Sequence, residues 1–425
     1  MNRVIMIALA GAAALCGPGL HPAYAQAPAP VRQVGLDAAV AQAVAQNPVL
    51  ASAQTTIARA EALLQQSRAA LMPTVSGAIT SVTYDSARGF EDATTQPRSQ
   101  VLFSATAAVP LFAPEARARV TQGRDNVEVA ALSAAAARQQ IAVATAQAYI
   151  GIVTAHRQVE VSERSLETAR AHLDYAERRL EGGAGSRLNQ LRAAQAVAVD
   201  EAALESSYYA LLAAQEALGL LMAEEGPVDV TDASVFDEPV TDIGDDWLAE
   251  RPDVQYQARA VEAADRVVRD SWKAWLPTAG LSFTPQAVAP GSLFSPSRTW
   301  QLGISLSQRI FDRTPAAEKA LRQVTLSQTR FARDEVELRA RSEVRLARQA
   351  VTRRERVLET TVRAAEQAAE VLRISTAAFE LGATTNLEVI DAQRSARDAD
   401  TAVSLAESAL RSARLDLLVA LGRFK

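Results

Sequence analysis

The feature that most constrains the fold of this chain is a set of short segments in which apolar and polar residues alternate. The clearest is segment 300–310, WQLGISLSQRI, and segment 101–111 repeats the pattern. Alternation with a period of two is typical of a β-strand with one apolar and one polar face. Each segment has about ten residues, the length of a tilted strand that crosses a bilayer. Nearly all of the remaining chain has a helical pattern, and a membrane gives a reason for the few strands.

The alternation also assigns each side chain to a face, because a membrane β-barrel changes face at every residue. The residues expected to face lipid are Val101, Phe103, Leu302 and Ile304. Those expected to face a water-filled lumen are Thr106, Gln301 and Ser305.

Residues 1–25 have the features of an export signal. Arg3 precedes an apolar segment, 4–15, that is too short to span a bilayer as a helix, and Ala23-Tyr24-Ala25 fits a cleavage site. The only cysteine, Cys16, follows Leu15, where a lipidation site would carry a small residue. We therefore expect a mature chain that starts at Gln26 and has neither a lipid anchor nor a thiol.

Charge and composition exclude several classes of function. The net charge is −5, with no basic tract for nucleic acid. After residues 1–25 no apolar run is long enough for a transmembrane helix. His156 and His172 are 16 residues apart on a predicted helix, on nearly opposite faces, and are interpreted as surface residues. No phosphate loop or catalytic cluster is present in the sequence, so we expect no enzyme activity, cofactor or metal.

The sequence contains the same order of predicted elements twice. Pro48 and Pro252 are 204 residues apart, and Gly183 and Gly382 are 199 apart. The plan is a helix, two strands, a long helix, a glycine turn and a return helix, with a polar loop between the strands. The predicted elements of the first half are a helix at 36–71 with a break at Asn47-Pro48, strands at 74–84 and 101–111, a loop at 85–97, and helices at 115–181 and 186–222. Those of the second half are a helix at 247–275, strands at 278–288 and 300–310, and helices at 315–381 and 383–422.

These patterns predict a fold that is mainly α with a small β part. The predicted organisation is a signal peptide at 1–25, a first repeat at 26–223, a linker at 224–246 and a second repeat at 247–425. Pro110 is expected to stop strand pairing in the first repeat. The two shorter helices of each repeat together match the long helix in length, so we expect them to stack end to end antiparallel to it.

The order and duplication of several short motifs resemble the TolC family of outer-membrane efflux proteins over essentially the whole mature chain. In the first half the motifs are Asn47-Pro48-Val49-Leu50, Leu71-Met72-Pro73-Thr74, Pro110-Leu111-Phe112 and the turn at 183–193. In the second half they are Arg251-Pro252-Asp253-Val254, Leu276-Pro277-Thr278, Ile310-Phe311-Asp312 and segment 381–394.

The resemblance implies a homotrimer in which three chains share a 12-stranded outer-membrane β-barrel that continues as a periplasmic α-helical barrel. Four strands from one chain are too few to close even a small barrel, and open edges are forbidden in lipid. The implied function is a passive duct of a tripartite efflux or type I secretion system in a Gram-negative outer membrane. The implied partners are a periplasmic adaptor and a proton-driven or ATP-driven inner-membrane pump.

Two sets of site residues follow from the resemblance. The surface that meets the adaptor is expected at the two glycine turns, with Gly183, Ala184, Leu188, Leu191, Gly382, Ala383, Leu387 and Ile390. The periplasmic gate is expected beside them, with Glu388, Asp391, Asn189, Arg187, Arg394 and Phe379. Glu388 and Asp391 are three residues apart on one helix, so they share a face, and an alternative reading pairs Asp391 locally with Arg394.

One competing hypothesis is a soluble periplasmic coiled-coil adaptor or chaperone. It accounts for the alanine-rich helices but not for four alternating segments in two proline-bounded pairs. It also gives no reason for the aromatic residues beside the predicted strands, which suit a membrane interface: Trp272, Trp275, Phe283 and Trp300.

Overall fold

The computed structural model describes residues 31–90, 93–237, 247–292 and 296–424. The predicted signal peptide, Cys16 and part of the predicted linker lie outside these residues. The elements of the first half are β1 (Arg32–Val34), α1 (Leu36–Gln46), α2 (Pro48–Ala69), β2 (Thr74–Thr83), β3 (Arg88–Phe90), β4 (Ala93–Gln96), β5 (Ser99–Phe112), α3 (Pro114–Glu181) and α4 (Arg187–Leu221). Those that follow are β6 (Val228–Val230), α5 (Trp247–Glu250), α6 (Pro252–Arg269), a 3-10 helix (Asp270–Trp275), β7 (Thr278–Ala289), β8 (Arg298–Ser307), α7 (Thr314–Glu380) and α8 (Asn386–Ala420).

Proline residues set where three of the described helices begin. Pro48, Pro114 and Pro252 each occupy the first position of a helix, where no backbone N–H is needed for the helical hydrogen bonds. Of these, Pro48 and Pro252 have the same place in the two repeats. The two-fold plan read from the sequence is therefore confirmed, whereas the division at 26–223, 224–246 and 247–425 stays a prediction.

The four predicted strands form one antiparallel sheet in the order β2-β5-β7-β8. Ile79 is paired with Phe103, Phe103 with Ala287, and Phe283 with Leu302, so these apolar residues share one face. The opposite face is polar, and on it the Thr106 and Thr284 hydroxyls are 3.3 Å apart. Val101, Phe103, Leu302 and Ile304 all lie on the apolar face, and Thr106, Gln301 and Ser305 on the polar face.

The helices form a layer in a fixed order. α3 packs against α2 and α4 and also against α6 and α8, and the last two pack in turn against α7. The order across the layer is therefore α2 and α4, then α3, then α6 and α8, then α7. The predicted stacking is present, with one difference. Only α2 continues α4, because α1 turns aside and packs against α3 in a core that includes Ala43, Tyr149 and Met222.

Each stack is joined by a side chain at the residue before the proline. The Asn47 side-chain nitrogen Nδ2 donates to the Leu221 carbonyl at the end of α4, at 2.9 Å. In the second repeat Arg251 Nη1 donates to the Ala420 carbonyl near the end of α8, at 3.1 Å. Both side chains are buried. Each therefore satisfies a carbonyl that the end of a helix leaves without an intrahelical partner.

We expect Asn47→Ala to lower the free energy of unfolding by about 0.5–2 kcal/mol. Asn47 also caps α2, since its Oδ1 accepts from the Val49 N–H at 2.9 Å, and alanine removes both bonds. Asn47→Ser keeps a capping hydroxyl but loses the bond to Leu221, so it should cost less. Denaturant titration of the detergent-solubilised protein measures both; equal stability of Asn47→Ala and the wild type would contradict the assignment.

Several sequence predictions were wrong in detail. The predicted loop at 85–97 contains the β3–β4 hairpin, and Pro110 does not stop pairing, since it lies opposite Gly280 and only a register shift follows it. The last strand ends at Ser307 rather than residue 310. The predicted linker contains β6, which pairs in parallel with β1.

Candidate gate and docking tip

The two glycine turns have the same hydrogen bonds. Gly183 (φ 73°) and Gly382 (φ 76°) adopt the left-handed conformation that follows a helix. The Ala184 N–H donates to the Arg179 carbonyl at 2.9 Å, and the Ala383 N–H donates to the Ala378 carbonyl at 2.8 Å. The turns therefore end α3 and α7 in the same way and form the end of the helical layer that is opposite the sheet.

The return helices begin with equivalent caps. The Ser186 hydroxyl accepts from the Asn189 N–H at 3.2 Å, and the Thr385 hydroxyl accepts from the Glu388 N–H at 3.4 Å. Asn189 and Glu388 thus occupy the same place in the first turn of α4 and α8. The two glycine turns and the first turns of α4 and α8 that follow them are called the tip. Backbone hydrogen bonds hold its turns, and the Ser186 and Thr385 hydroxyls hold its caps.

The predicted gate acids lie on an open face of α8. Glu388 and Asp391 are exposed, whereas Val389 between them is fully buried. Within the described part of the chain neither acid forms an ion pair with Arg187 or Arg394, and Arg187 instead donates to Gln190. The local pairing of Asp391 with Arg394 is absent from this geometry. Among the residues that the structure describes, no ion pair therefore neutralises the two acids.

Two residues of the predicted sites do not lie on an open surface. Phe379 is 6% exposed because its ring packs against His172 and Tyr175, with centroids 5.3 and 5.7 Å away. Ile390, predicted at the docking surface, is 4% exposed because it turns toward the groove between α3 and α4. Leu188, Leu191 and Leu387 remain exposed at the tip.

The interpretation of His172 as a surface residue was wrong. This side chain of α3 faces α8, is buried, and its Nε2 lies 2.6 Å from Asn386 Oδ1. Asn386 also donates to the Asn189 carbonyl at 3.4 Å, so one amide connects α3, α4 and α8 at the tip. His156, in contrast, is half-buried and hydrogen-bonds Asp229.

We expect the tip to loosen on acidification. Burial lowers the pKa of His172 below its usual value of 6.5, although the bond to Asn386 acts in the opposite direction. As the pH falls, His172 binds a proton in the unfolded chain at a higher pH than it does in the folded protein. The neutral, buried ring therefore contributes its full stability above pH 6.5. That contribution is lost as the pH falls from 6.5 to the lowered pKa of the folded protein. Hydrogen exchange of tip amides at pH 7.5 and 5.5, corrected for intrinsic rates, measures this. His172→Gln should remove the pH dependence of exchange. An unchanged dependence in this variant would contradict its assignment to His172.

A buried charged contact that the sequence reasoning missed joins the two helical hairpins. Asp200 on α4 is buried, accepts from the Ser165 hydroxyl of α3 at 2.9 Å, and pairs with Arg397 of α8 at 2.7 Å. A signal for it existed in the sequence. Asp200 falls three residues after Val197 and four before Leu204, where the apolar seam of α4 requires an inward-facing residue.

Among the described residues no helix is both long and apolar enough to cross a bilayer. In the same residues, His, Cys, Asp and Glu form no group of three or more that could hold a metal ion.

Long helical hairpins that continue an amphipathic sheet with unpaired edges define a class of oligomeric outer-membrane channels. A model of the outer membrane efflux protein family matches residues 39–224 and 243–423. The chain belongs to this family. No curated protein matches the sequence.

Solved structures give the same fold. The CusC channel has a TM-score of 0.80 and 19% identity over 92% of each chain. VceC from Vibrio cholerae has a TM-score of 0.76 and 19% identity over 91% of this chain and 96% of that one. The MtrE channel of Neisseria gonorrhoeae has a TM-score of 0.76 and 20% identity, over 91% and 88%.

The predicted TolC-family membership and outer-membrane localisation are therefore confirmed. The protein is an outer-membrane efflux channel with a large periplasmic part, and the soluble adaptor or chaperone hypothesis is set aside.

Proposed function

We propose that three copies of this chain form the passive duct of a tripartite efflux system, closed by contacts between identical chains. The observation that carries the proposal is that both edges of the molecule are unsatisfied. In the sheet, β2 and β8 each pair on one side only. An unpaired strand edge is not tolerated in lipid, so β8 of one chain needs β2 of the next.

The helical layer supports the same closure. α7 lies at one edge of the layer, and Val324, Phe331 and Leu338 recur on it at intervals of seven residues. All three are more than half exposed. This spacing is a coiled-coil seam that lacks its partner helix within the chain. The other edge, α4, exposes Tyr209 and Leu220, and a neighbouring copy brings these two edges together.

The stoichiometry can be measured directly. Native mass spectrometry of the protein extracted from outer membranes should give three copies, and the same preparation should form conducting channels in a planar bilayer. A single copy without conductance would contradict the proposal. Val324→Asp with Leu338→Asp should weaken the trimer because it places carboxylates in the seam, whereas two exposed positions off the seam, Arg339→Asp and Arg353→Asp, should not.

The apolar face of the sheet is proposed to face lipid. On it Ile304 and Leu306 are 76% and 72% exposed. Ile304→Lys should destabilise the inserted protein by about 2–4 kcal/mol if the residue lies near the bilayer midplane. Ser305→Lys, on the polar face of the same strand, should be tolerated. Unfolding from lipid vesicles by denaturant compares the two, and equal losses would contradict the assignment of faces.

The tip is proposed to meet a periplasmic adaptor, which hands over substrates from an inner-membrane pump. Its exposed members are Gly183, Ala184, Leu188, Leu191, Gly382, Ala383 and Leu387. Exposed leucines beside two rigid turns suit a hairpin-to-hairpin contact. In this proposal the chain performs no reaction, and its role is conduction.

The gate is proposed to be formed by Glu388 and Asp391. If their face of α8 lines the channel mouth, three chains give two stacked rings of carboxylates. Like charges held close repel each other, and a bound cation or partial protonation relieves the repulsion. Neither acid pairs with Arg187 or Arg394, which supports the proposal that their negative charges act on ions in the pore.

A further inference from the structure

The sheet carries a single charge, and it lies on the apolar face. Among the residues of β2, β5, β7 and β8, only Arg298 has an ionised side chain. It is paired with Ala287 and therefore shares a face with Phe283 and Leu302. Arg298 begins β8, at the end of the sheet farthest from the helices, and forms no ion pair with a described residue.

A cleft lies beside this arginine on the apolar face. It has a volume of about 720 Å³, within the range of small-molecule sites. Gly77, Ala105 and Ala287 leave space where bulkier residues surround them. The surrounding walls include Phe103, Phe283 and Trp300, and Arg298 is the only charged residue in the lining. The Phe283 and Trp300 rings pack with centroids 6.2 Å apart, which gives one wall a fixed shape.

We propose that this cleft binds a phosphate-bearing lipid of the outer leaflet, with an acyl chain in the cleft and the phosphate on the Arg298 guanidinium. The inference rests on the proposed lipid-facing side of the sheet. Guanidinium binds phosphate through two parallel hydrogen bonds. An arginine on the lipid face costs least near the interface, where tryptophan is also enriched. The distal position of Arg298 selects the outer leaflet, whose lipid A carries both phosphates and acyl chains.

The proposal predicts that two kinds of change weaken the same interaction. Arg298→Gln removes the phosphate contact, and Ala105→Leu fills the cleft without changing the charge. Native mass spectrometry of the intact oligomer titrated with lipid A should show about tenfold weaker binding for each variant. Matched controls are Arg98→Gln, which removes a charge from the segment just before β5, and Ala107→Leu, which enlarges an alanine of the same face outside the cleft. Both should bind as the wild type does.

Three results would overturn the proposal. One is equal lipid A binding by Arg298→Gln and the wild type. Another is binding of diacylglycerol, which has acyl chains but no phosphate, as tightly as lipid A. The third is binding of phosphatidylglycerol as tightly as lipid A, which would contradict the assignment to a lipid of the outer leaflet.

A separate measurement distinguishes failure of the lipid site from failure of the proposed membrane face. Brominated phospholipids should quench the fluorescence of Trp300, taken as the difference between the wild type and Trp300→Phe. Quenching of Trp300 together with equal lipid A binding by Arg298→Gln and the wild type overturns the lipid site alone. Absence of quenching overturns the assignment of the face itself.

Discussion

Replacing Ala184 or Ala383 with tryptophan should abolish export while the channel still assembles in the outer membrane. Both alanines are exposed, and only their backbone N–H groups take part in the turns. A large side chain therefore leaves the hydrogen bonds to Arg179 and Ala378 in place. It projects from the end of the hairpin, where the adaptor is proposed to dock, and blocks close approach.

The measurement is export of a substrate of the partner pump by cells that depend on this channel, together with the amount of oligomer in the outer-membrane fraction. Ala364→Trp is a matched control, because Ala364 is also an exposed alanine but lies on the side of α7, away from the turn. It should leave export unchanged. Normal export by both tip variants would count against docking at the turns.

Removing the two gate acids should have the second large effect. In planar bilayers the wild-type channel should be cation-selective and should be blocked by multivalent cations added on the periplasmic side. Glu388→Ala with Asp391→Ala should lose both properties, since the rings of carboxylates that attract and bind the cation are gone. The fold should persist, because both side chains are exposed and neither joins two helices through an ion pair.

A control with the same loss of charge separates the gate from a general effect of net charge. Glu160→Ala with Glu167→Ala removes two exposed carboxylates from α3, away from the turn and from the α7 seam. Selectivity and block should remain in that variant. If the variant without Glu388 and Asp391 also keeps both, the gate lies elsewhere, and Asp200 with Arg397 is the next contact to examine.

Much of the fold could be predicted because its signals are local. Period-two alternation gave the strands and the faces of Phe103 and Ile304, and Pro48 and Gly183 marked helix ends. Pro110 was misread because proline usually ends strand pairing, whereas here its partner Gly280 and a nearby register shift allow the strand to continue. β6 has no local signal, since three residues become a strand only when β1 lies beside them.

The candidate site was less predictable because its polar contacts depend on helices brought together from distant parts of the chain. His172 and Asn386 are separated by 214 residues, and Asp200 and Arg397 by 197. Whether a histidine on a long helix is buried depends on which neighbour covers its face. That neighbour, α8, follows from the packing order of the layer and not from the residues around His172.

The junctions at Asn47 and Arg251 join equivalent helix ends in the two halves with different side chains. Both halves meet the same requirement, a side-chain donor that reaches one of the last carbonyls of the stacked helix, with an amide in one half and a guanidinium in the other. Arg251 also pairs with Asp253 and Glu343, so exchanging the two residues would remove the ion pairs of those carboxylates. The two junctions therefore satisfy the same helix end but are not interchangeable, because only the Arg251 side chain also holds two carboxylates.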